Sequence, residues 1–112
     1  MQMIVAIVHP YKLNEVRDAL VSSGVHGMTV SDVRGFGRQK GHRALPSGRE
    51  VTVNFVPKIK IEVAVTEKQA DKAVKVITRA ARTGQVGDGK IFVFSLGEVV
   101  RIRTGETAEA AL

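Results

Sequence analysis

The chain has 112 residues, of which 44% are apolar and 25% charged, the make-up of one globular domain spanning residues 1–112. It contains no cysteine, which excludes disulfides and thiolate metal sites, and it has no apolar run long enough to cross a membrane. The net charge of +6 is concentrated in residues 34–60, where seven basic side chains outnumber one acidic residue, so this segment is expected to meet something anionic.

The first third of the chain predicts a strand, a helix and a second strand. Met3–Val8 is apolar on both faces, which is typical of a central strand. Apolar residues then recur at helical spacing until Ser22-Ser23-Gly24 ends the helix; they are Leu13, Val16, Leu20 and Val21. A second strand is predicted at about Met28–Arg34, before two glycines interrupt the pattern.

The middle of the chain loses its pattern and then regains it. From Arg38 to about Val53 the residues form a long polar loop, which in a compact domain usually serves function or is disordered. From Lys58 to Val65 apolar and other side chains alternate, as in a half-buried strand. Thr66 and Gln69 match a capping box that begins a second helix with an apolar face ending at Ala81.

The stretch Thr83–Lys90 is the clearest chemical signal in the sequence. Three glycines in six positions, followed by a lysine, can turn tightly and direct backbone N–H groups at a phosphate. The spacing copies a Walker A loop except at Ile91, where that loop has a Ser or Thr for Mg²⁺, and here the loop follows a helix and precedes a strand. We therefore expect a phosphate cradle outside the P-loop class; the alternative is a plain helix-to-strand turn.

The remaining residues complete a βαβ-βαβ order. Ile91–Ser95 is predicted as a fourth strand, and Glu98–Arg103 as a short strand with Arg101 and Arg103 on one side. The tail from Thr104 onward is expected to be loosely held. This order predicts an α+β fold, the ferredoxin-like double βαβ with an antiparallel sheet, one long loop and a short C-terminal strand.

With these elements placed, the sequence resembles the PII nitrogen-regulatory signal-transduction family over its whole length. Residues 83–93 look like the nucleotide loop of that family, residues 35–41 like the base of its long T-loop, and residues 99–107 like its C-terminal segment. The resemblance implies a homotrimer that binds ATP or ADP in clefts between neighbouring subunits and regulates a partner through the T-loop, here residues 37–55.

The resemblance also assigns roles to particular residues. Around the base and ribose it implies Ile7, Thr29, Gly35 and Ala64. At the phosphates it implies Arg38, Gly87, Asp88, Gly89 and Lys90, with Arg101 and Arg103 arriving from the adjacent chain. Gln39 would help to hold Mg²⁺ with the ATP phosphates, and 2-oxoglutarate would chelate that metal while pairing with Lys58. Gly37 would lie where the T-loop meets the site.

The T-loop departs from the family pattern. Residues 46–51 read Pro-Ser-Gly-Arg-Glu-Val, so Val51 stands where many members carry a tyrosine that is nucleotidylated. Because Tyr11 is the single tyrosine of the chain, tyrosyl modification of this loop is excluded. The expected partner is a membrane transporter or a metabolic enzyme, reached through an acidic surface that Arg43 and Arg49 would contact. The alternative is that the protein regulates a metal transporter or another transporter unrelated to nitrogen status.

Two other classes of function fit the sequence less well than a sensor. A slow ATPase using the same cleft is disfavoured because Asp88 is the single acid in the motif and no carboxylate is placed as a base for water. A nucleic-acid binder is disfavoured because residues 34–60 contain two aromatic residues, too few for stacking platforms.

His9, His26 and His42 share no metal-ligand spacing. No recognisable secretory signal is present, so a cytoplasmic protein that is not embedded in a membrane is expected.

Overall fold

The computed structural model describes residues 1–37, 42–44, 50–52 and 55–112, and for residues 42–44 and 50–52 the backbone alone. These residues contain six strands and two α-helices in the order β1 Gln2–Val8, α1 Leu13–Ser22, β2 Thr29–Gly35, β3 His42–Ala44, β4 Glu50–Thr52, β5 Val56–Val65, α2 Glu67–Ala81 and β6 Lys90–Ser95. Short 3₁₀ turns at Pro10–Lys12 and Ala108–Ala111 flank this series. Among the described residues, no helix has the length and apolar character that a membrane span requires.

The main sheet has four strands in the order β2-β5-β1-β6, and every neighbouring pair is antiparallel. Each helix therefore connects two strands that are separated in the sheet by another strand, which is the ferredoxin-like arrangement. The predicted α+β class and antiparallel sheet are confirmed. The central position predicted for β1 is also confirmed, because β1 pairs with β5 on one side and β6 on the other.

The core lies between the two helices and one face of this sheet. Strand β1 contributes Ile4, Ala6 and Val8, and β5 contributes the odd-numbered residues from Ile59 to Val65, so both strands bury alternate side chains. Helix α1 packs Val16 and Leu20 onto the sheet, and α2 packs Ala70, Ala73, Ile77 and Ala81. The half-buried pattern predicted from the sequence of β5 is therefore confirmed, although β1 has only one fully buried face.

The ends of both helices follow from local sequence. Thr66 caps α2, because its side chain accepts a hydrogen bond from the Gln69 backbone N–H while the Gln69 side chain accepts one from the Thr66 N–H. Helix α1 ends at Ser22; two residues further on Gly24 turns the chain with a φ of +96°, which suits glycine, and the Val25 N–H then donates to the Leu20 carbonyl. These two features fix where each helix begins or ends relative to the sheet.

The predicted short strand at Glu98–Arg103 is wrong. The chain reverses here instead: the Arg101 N–H donates to the Glu106 carbonyl, the Gly105 N–H donates to the Arg101 carbonyl, and one isolated bridge joins Val100 to Thr107. Gly105 allows the reversal because its φ is +74°. A strand-like sequence that pairs with no strand among the described residues thus turns back on itself.

The tail that was expected to be loosely held is also placed. Residues Ala108–Ala111 form a 3₁₀ turn, the Ala108 N–H donates to the Val99 carbonyl, and the Arg101 side chain donates to the Leu112 carbonyl oxygen at 2.8 Å. Hydrogen bonds from both ends of the tail therefore hold it to residues 99–101.

The segment predicted as a patternless loop contains a small hairpin. Strands β3 and β4 pair antiparallel, with Arg43 opposite Val51 at the centre of the register. Three-residue strands are too short to produce a readable alternation in sequence. The loop residues Arg38, Gln39 and Arg49 lie outside the described part of the chain, so the predictions made for them remain predictions.

Candidate functional site

A cleft of about 620 Å³ opens where the loop after α2 meets the ends of β1, β2 and β5. It brings together the greater part of the site residues predicted within one chain. Those residues are Ile7, Gly35, Gly37, Lys58, Gly87, Asp88, Gly89 and Lys90. Residues as far apart in sequence as Ile7 and Lys90 therefore line one concave surface, which is where a ligand site is expected.

The glycines of the loop are required by its backbone. Gly84, Gly87 and Gly89 have φ values of +86°, +103° and +96°, a region that other residues rarely adopt. At Gly89 a Cβ atom would lie 1.7 Å from the Ile7 carbonyl oxygen, so the loop is seated directly on β1. Because glycine has no side chain, a ligand on the other side of the loop can also approach its main chain closely.

Asp88 organises the loop from within. Its carboxylate accepts hydrogen bonds from the backbone N–H groups of Thr83 and Gly84, both at 2.8 Å, and from the Thr83 hydroxyl. The fourth partner is His9, whose Nε2 lies 3.2 Å from Oδ1 of Asp88. These bonds, led by those of Thr83, hold the pKa of Asp88 well below its ordinary value. The side chain therefore builds the loop, and only the backbone of Asp88 is suited to face a phosphate.

Acid is expected to loosen this loop. Because the folded state lowers the pKa of Asp88, its ionised form stabilises the protein at neutral pH, and that contribution is lost as the pH falls below the ordinary value of 3.8. Asp88→Asn removes the charge, so the wild type should be the more stable protein at about pH 6, and the difference should shrink toward pH 3. Unfolding free energies measured across this range check the expectation. A constant difference would assign the stabilisation to something other than ionised Asp88.

Lys58 is the one buried charged residue found in the described core. Its side chain is 7% exposed, and its ammonium group donates a hydrogen bond to the Gly87 carbonyl oxygen. Burial lowers the pKa of Lys58, and the nearby charge of Asp88 opposes that shift. An ammonium group has three N–H donors, so this contact leaves donors for an anionic ligand in the cleft.

Four predicted residues lie away from this cleft. Thr29 and Ala64 are at the other end of the sheet, since Ala64 pairs with Met3 whereas Ile7 pairs with Lys60. Arg101 is occupied within its own chain by Glu106 and the Leu112 carbonyl, and Arg103 is exposed. The assignment of the two arginines to the cleft of a neighbouring subunit, and of Thr29 and Ala64 to the base and ribose, therefore remains a prediction. Arg38 and Gln39 fall among the residues that the structure does not describe.

Sequence reasoning missed several residues that line the cleft. They are Phe36, Val56, Gln85, Val86 and Phe92. Phe36 lies between two predicted site glycines, and its ring is 5.9 Å from that of Phe55. Phe92 follows Lys90 at strand spacing and thus shares its face of β6. Their positions next to predicted site residues were the one signal in the sequence that could have indicated them. The rings of Phe36 and Phe92 are apolar surfaces that suit the flat face of a base.

The residues of the cleft fit the phosphates of a nucleotide. A glycine loop without room for side chains, a buried lysine and a second lysine at the start of β6 supply main-chain and cationic donors. This combination suits a charged phosphate chain, whereas a plain turn between a helix and a strand does not require it.

Comparison with known proteins supports the same identification. The profile of the family "Nitrogen regulatory protein P-II" matches residues 1–106. The chain is 54% identical over 112 residues to nitrogen regulatory protein GlnK of Escherichia coli and to nitrogen regulatory protein P-II of Rhizobium etli, covering all of each chain. The crystal structure of Arabidopsis thaliana PII bound to citrate aligns with a TM-score of 0.82 and 40% identity, covering 99% of this chain and 91% of that one.

The resemblance inferred from three motifs is thus confirmed over the full length. Proteins of this group are regulatory signal-transduction proteins and not enzymes, in agreement with the prediction from sequence. The chain belongs to the P-II family of nitrogen regulatory proteins.

Proposed function

We propose that this protein is a signal-transduction sensor that binds ATP or ADP in the cleft beside the glycine loop. The observation that carries the proposal is the convergence of that loop with Lys58 and Lys90 on one concave surface. The loop supplies backbone donors and the two lysines supply charge, so the phosphates are held there. Ile7, Phe36 and Phe92 offer apolar contact to the rest of the nucleotide.

The sensor acts as a homotrimer in this proposal. The sheet face opposite the helices carries Phe92 and Phe94, which are 50% and 51% exposed, beside Met3 and Val5 on the paired strand. Apolar surface of this kind is normally covered by another subunit. Assembly would also bring Thr29, Ala64, Arg101 and Arg103 of one chain to the cleft of the next, where the two arginines would grip phosphate oxygens.

A second ligand, 2-oxoglutarate, is proposed to bind beside the nucleotide. Gln39 would help to hold Mg²⁺ at the ATP phosphates, and the metal would supply coordination sites for the oxygen atoms of the 2-oxo acid. Lys58 would pair with the free carboxylate through the donors that Gly87 does not use. Ligand binding at Gly37–Lys40 would then bias the shape of the T-loop.

The T-loop, residues 37–55, is the proposed output element. A partner responds only if it distinguishes the loop shapes, since a ligand shifts an equilibrium by its differential affinity. Because the basic charge of the chain is concentrated around this segment, the partner should present an acidic surface. A cytoplasmic metabolic enzyme or the cytoplasmic side of a transporter fits that description. Because Val51 excludes tyrosyl modification of the loop, the response in this proposal depends on the ligands alone.

Calorimetry tests the ligand proposal directly. ATP and ADP are each expected to bind, and 2-oxoglutarate should bind when both ATP and Mg²⁺ are present, because the metal provides its coordination sites. ADP with Mg²⁺, or ATP with a chelator, should give no heat with 2-oxoglutarate. Tight binding of 2-oxoglutarate without metal would contradict the metal-dependent mechanism, and no heat with either nucleotide would contradict the nucleotide site itself.

A further inference from the structure

His9 lies where strand β1 ends and the chain turns toward helix α1. Its ring stacks on that of Tyr11, with centroids 5.0 Å apart and planes inclined by 15°. Its side chain is 12% exposed, and Nε2 points to Asp88, 3.2 Å from Oδ1. Since an ionised carboxylate can only accept a hydrogen bond, Nε2 is the donor in this contact. The contact with the Tyr11 ring thus helps to set the direction from which the donor reaches the loop.

The other hydrogen bonds of Asp88 stay within the loop. Thr83 and Gly84 bind the carboxylate and give the loop its internal shape, but they do not attach it to the sheet. Within the described part of the chain, two polar side-chain contacts join the loop to the strands. One runs from Lys58 on β5 to the Gly87 carbonyl, and the other from His9 to Asp88.

We propose that His9 is a positioning residue for the glycine loop, holding it through Asp88 at the distance from β1 that phosphate binding requires. A loop held in place before the ligand arrives has less conformational entropy to lose on binding, which raises affinity. The link to affinity rests on the proposed nucleotide site, whereas the ordering of the loop by His9 does not.

Two substitutions distinguish the effect of the N–H donor of His9 from the effect of its ring. His9→Phe keeps an aromatic ring beside Tyr11 and removes the N–H, whereas His9→Gln places an amide N–H at a similar reach and gives up the stack. The Thr83 and Gly84 amides report loop order because both donate to Asp88. His26→Phe, at an exposed position, is the matched control for the substitution itself.

Amide hydrogen exchange is measured first, on the ligand-free protein. His9→Phe should accelerate exchange at Thr83 and Gly84 about tenfold, and His9→Gln should restore it to within about twofold of wild type. The His26→Phe protein should match wild type. Unchanged exchange in His9→Phe would overturn the proposal. Equal acceleration in both His9 variants would also overturn it, because the donor would then have no role beyond the packing of the ring.

ATP binding is measured on the same four proteins. His9→Phe should weaken ATP by about three- to tenfold, with recovery in His9→Gln. If exchange follows the expected order while the wild type binds no ATP, positioning of the loop by His9 stands and the proposed nucleotide function fails. If the wild type binds ATP and His9→Phe binds it equally well despite faster exchange, the contribution of His9 to affinity is overturned.

Discussion

Replacing Gly89 by alanine is expected to destabilise the protein by about 2–4 kcal/mol and to eliminate measurable ATP binding. The added Cβ would lie 1.7 Å from the Ile7 carbonyl oxygen and 2.8 Å from its carbonyl carbon. Both atoms are backbone of the central strand, so the loop must move away from β1. A loop displaced in this way takes Lys90 and the neighbouring main-chain donors out of the cleft.

Gly84→Ala is the matched control for this change. Gly84 has a similar φ of +86°, but no atom lies within 4 Å of its added Cβ. It should therefore show the conformational cost of alanine alone, about 1–2 kcal/mol. The two variants are compared by denaturant unfolding at equal protein concentration and by ATP calorimetry. If Gly84→Ala and Gly89→Ala lose equal stability and equal affinity, seating of the loop on β1 is not what the glycine at position 89 provides.

The fold was predictable from sequence where periodicity and burial agree. The alternation from Ile59 to Val65 and the helical spacing around Val16 and Leu20 both reflect side chains that reach the core. The strand predicted at Glu98–Arg103 failed for the opposite reason. In the part of the chain that the structure describes, this segment has no partner strand, and Gly105 instead allows a turn that Arg101 and Glu106 close.

The sequence indicated which residues form the site, but not the contacts that hold them in place. Glycine spacing and Lys90 indicated a phosphate loop, because backbone freedom and charge can be read one residue at a time. The contact of Asp88 with His9 joins residues 79 positions apart, so no local pattern could reveal it. The same holds for Lys58, whose burial depends on how the glycine loop packs over β5.

Substituting methionine for Lys58 is expected to weaken 2-oxoglutarate binding by about 2–3 kcal/mol without lowering the stability of the ligand-free protein. Folding removes the ammonium group from water, and the lowered pKa of Lys58 shows that burial disfavours its charged form. Methionine occupies the same space without that cost, and this gain offsets the hydrogen bond to the Gly87 carbonyl that the substitution removes. In the ligand complex, however, it leaves one carboxylate of the proposed effector without its cation. The measurements are calorimetry with Mg²⁺, ATP and 2-oxoglutarate, and denaturant unfolding without ligand.

Lys60→Met controls for loss of a positive charge from the same strand. Lys60 is two residues further along β5, is partly exposed and does not line the cleft. Its Nζ lies 3.8 Å from Oε1 of Glu62. Its replacement should leave 2-oxoglutarate binding within about twofold of wild type, since an exposed ion pair contributes little. If Lys60→Met lost as much affinity as Lys58→Met, the effect would come from the total positive charge of β5 and not from a direct contact of Lys58 with the ligand. Unchanged affinity in Lys58→Met would mean that the buried ammonium group serves the Gly87 carbonyl alone. The loss should therefore be confined to the lysine that is buried in the cleft, because only there is the cation already removed from water when the carboxylate arrives.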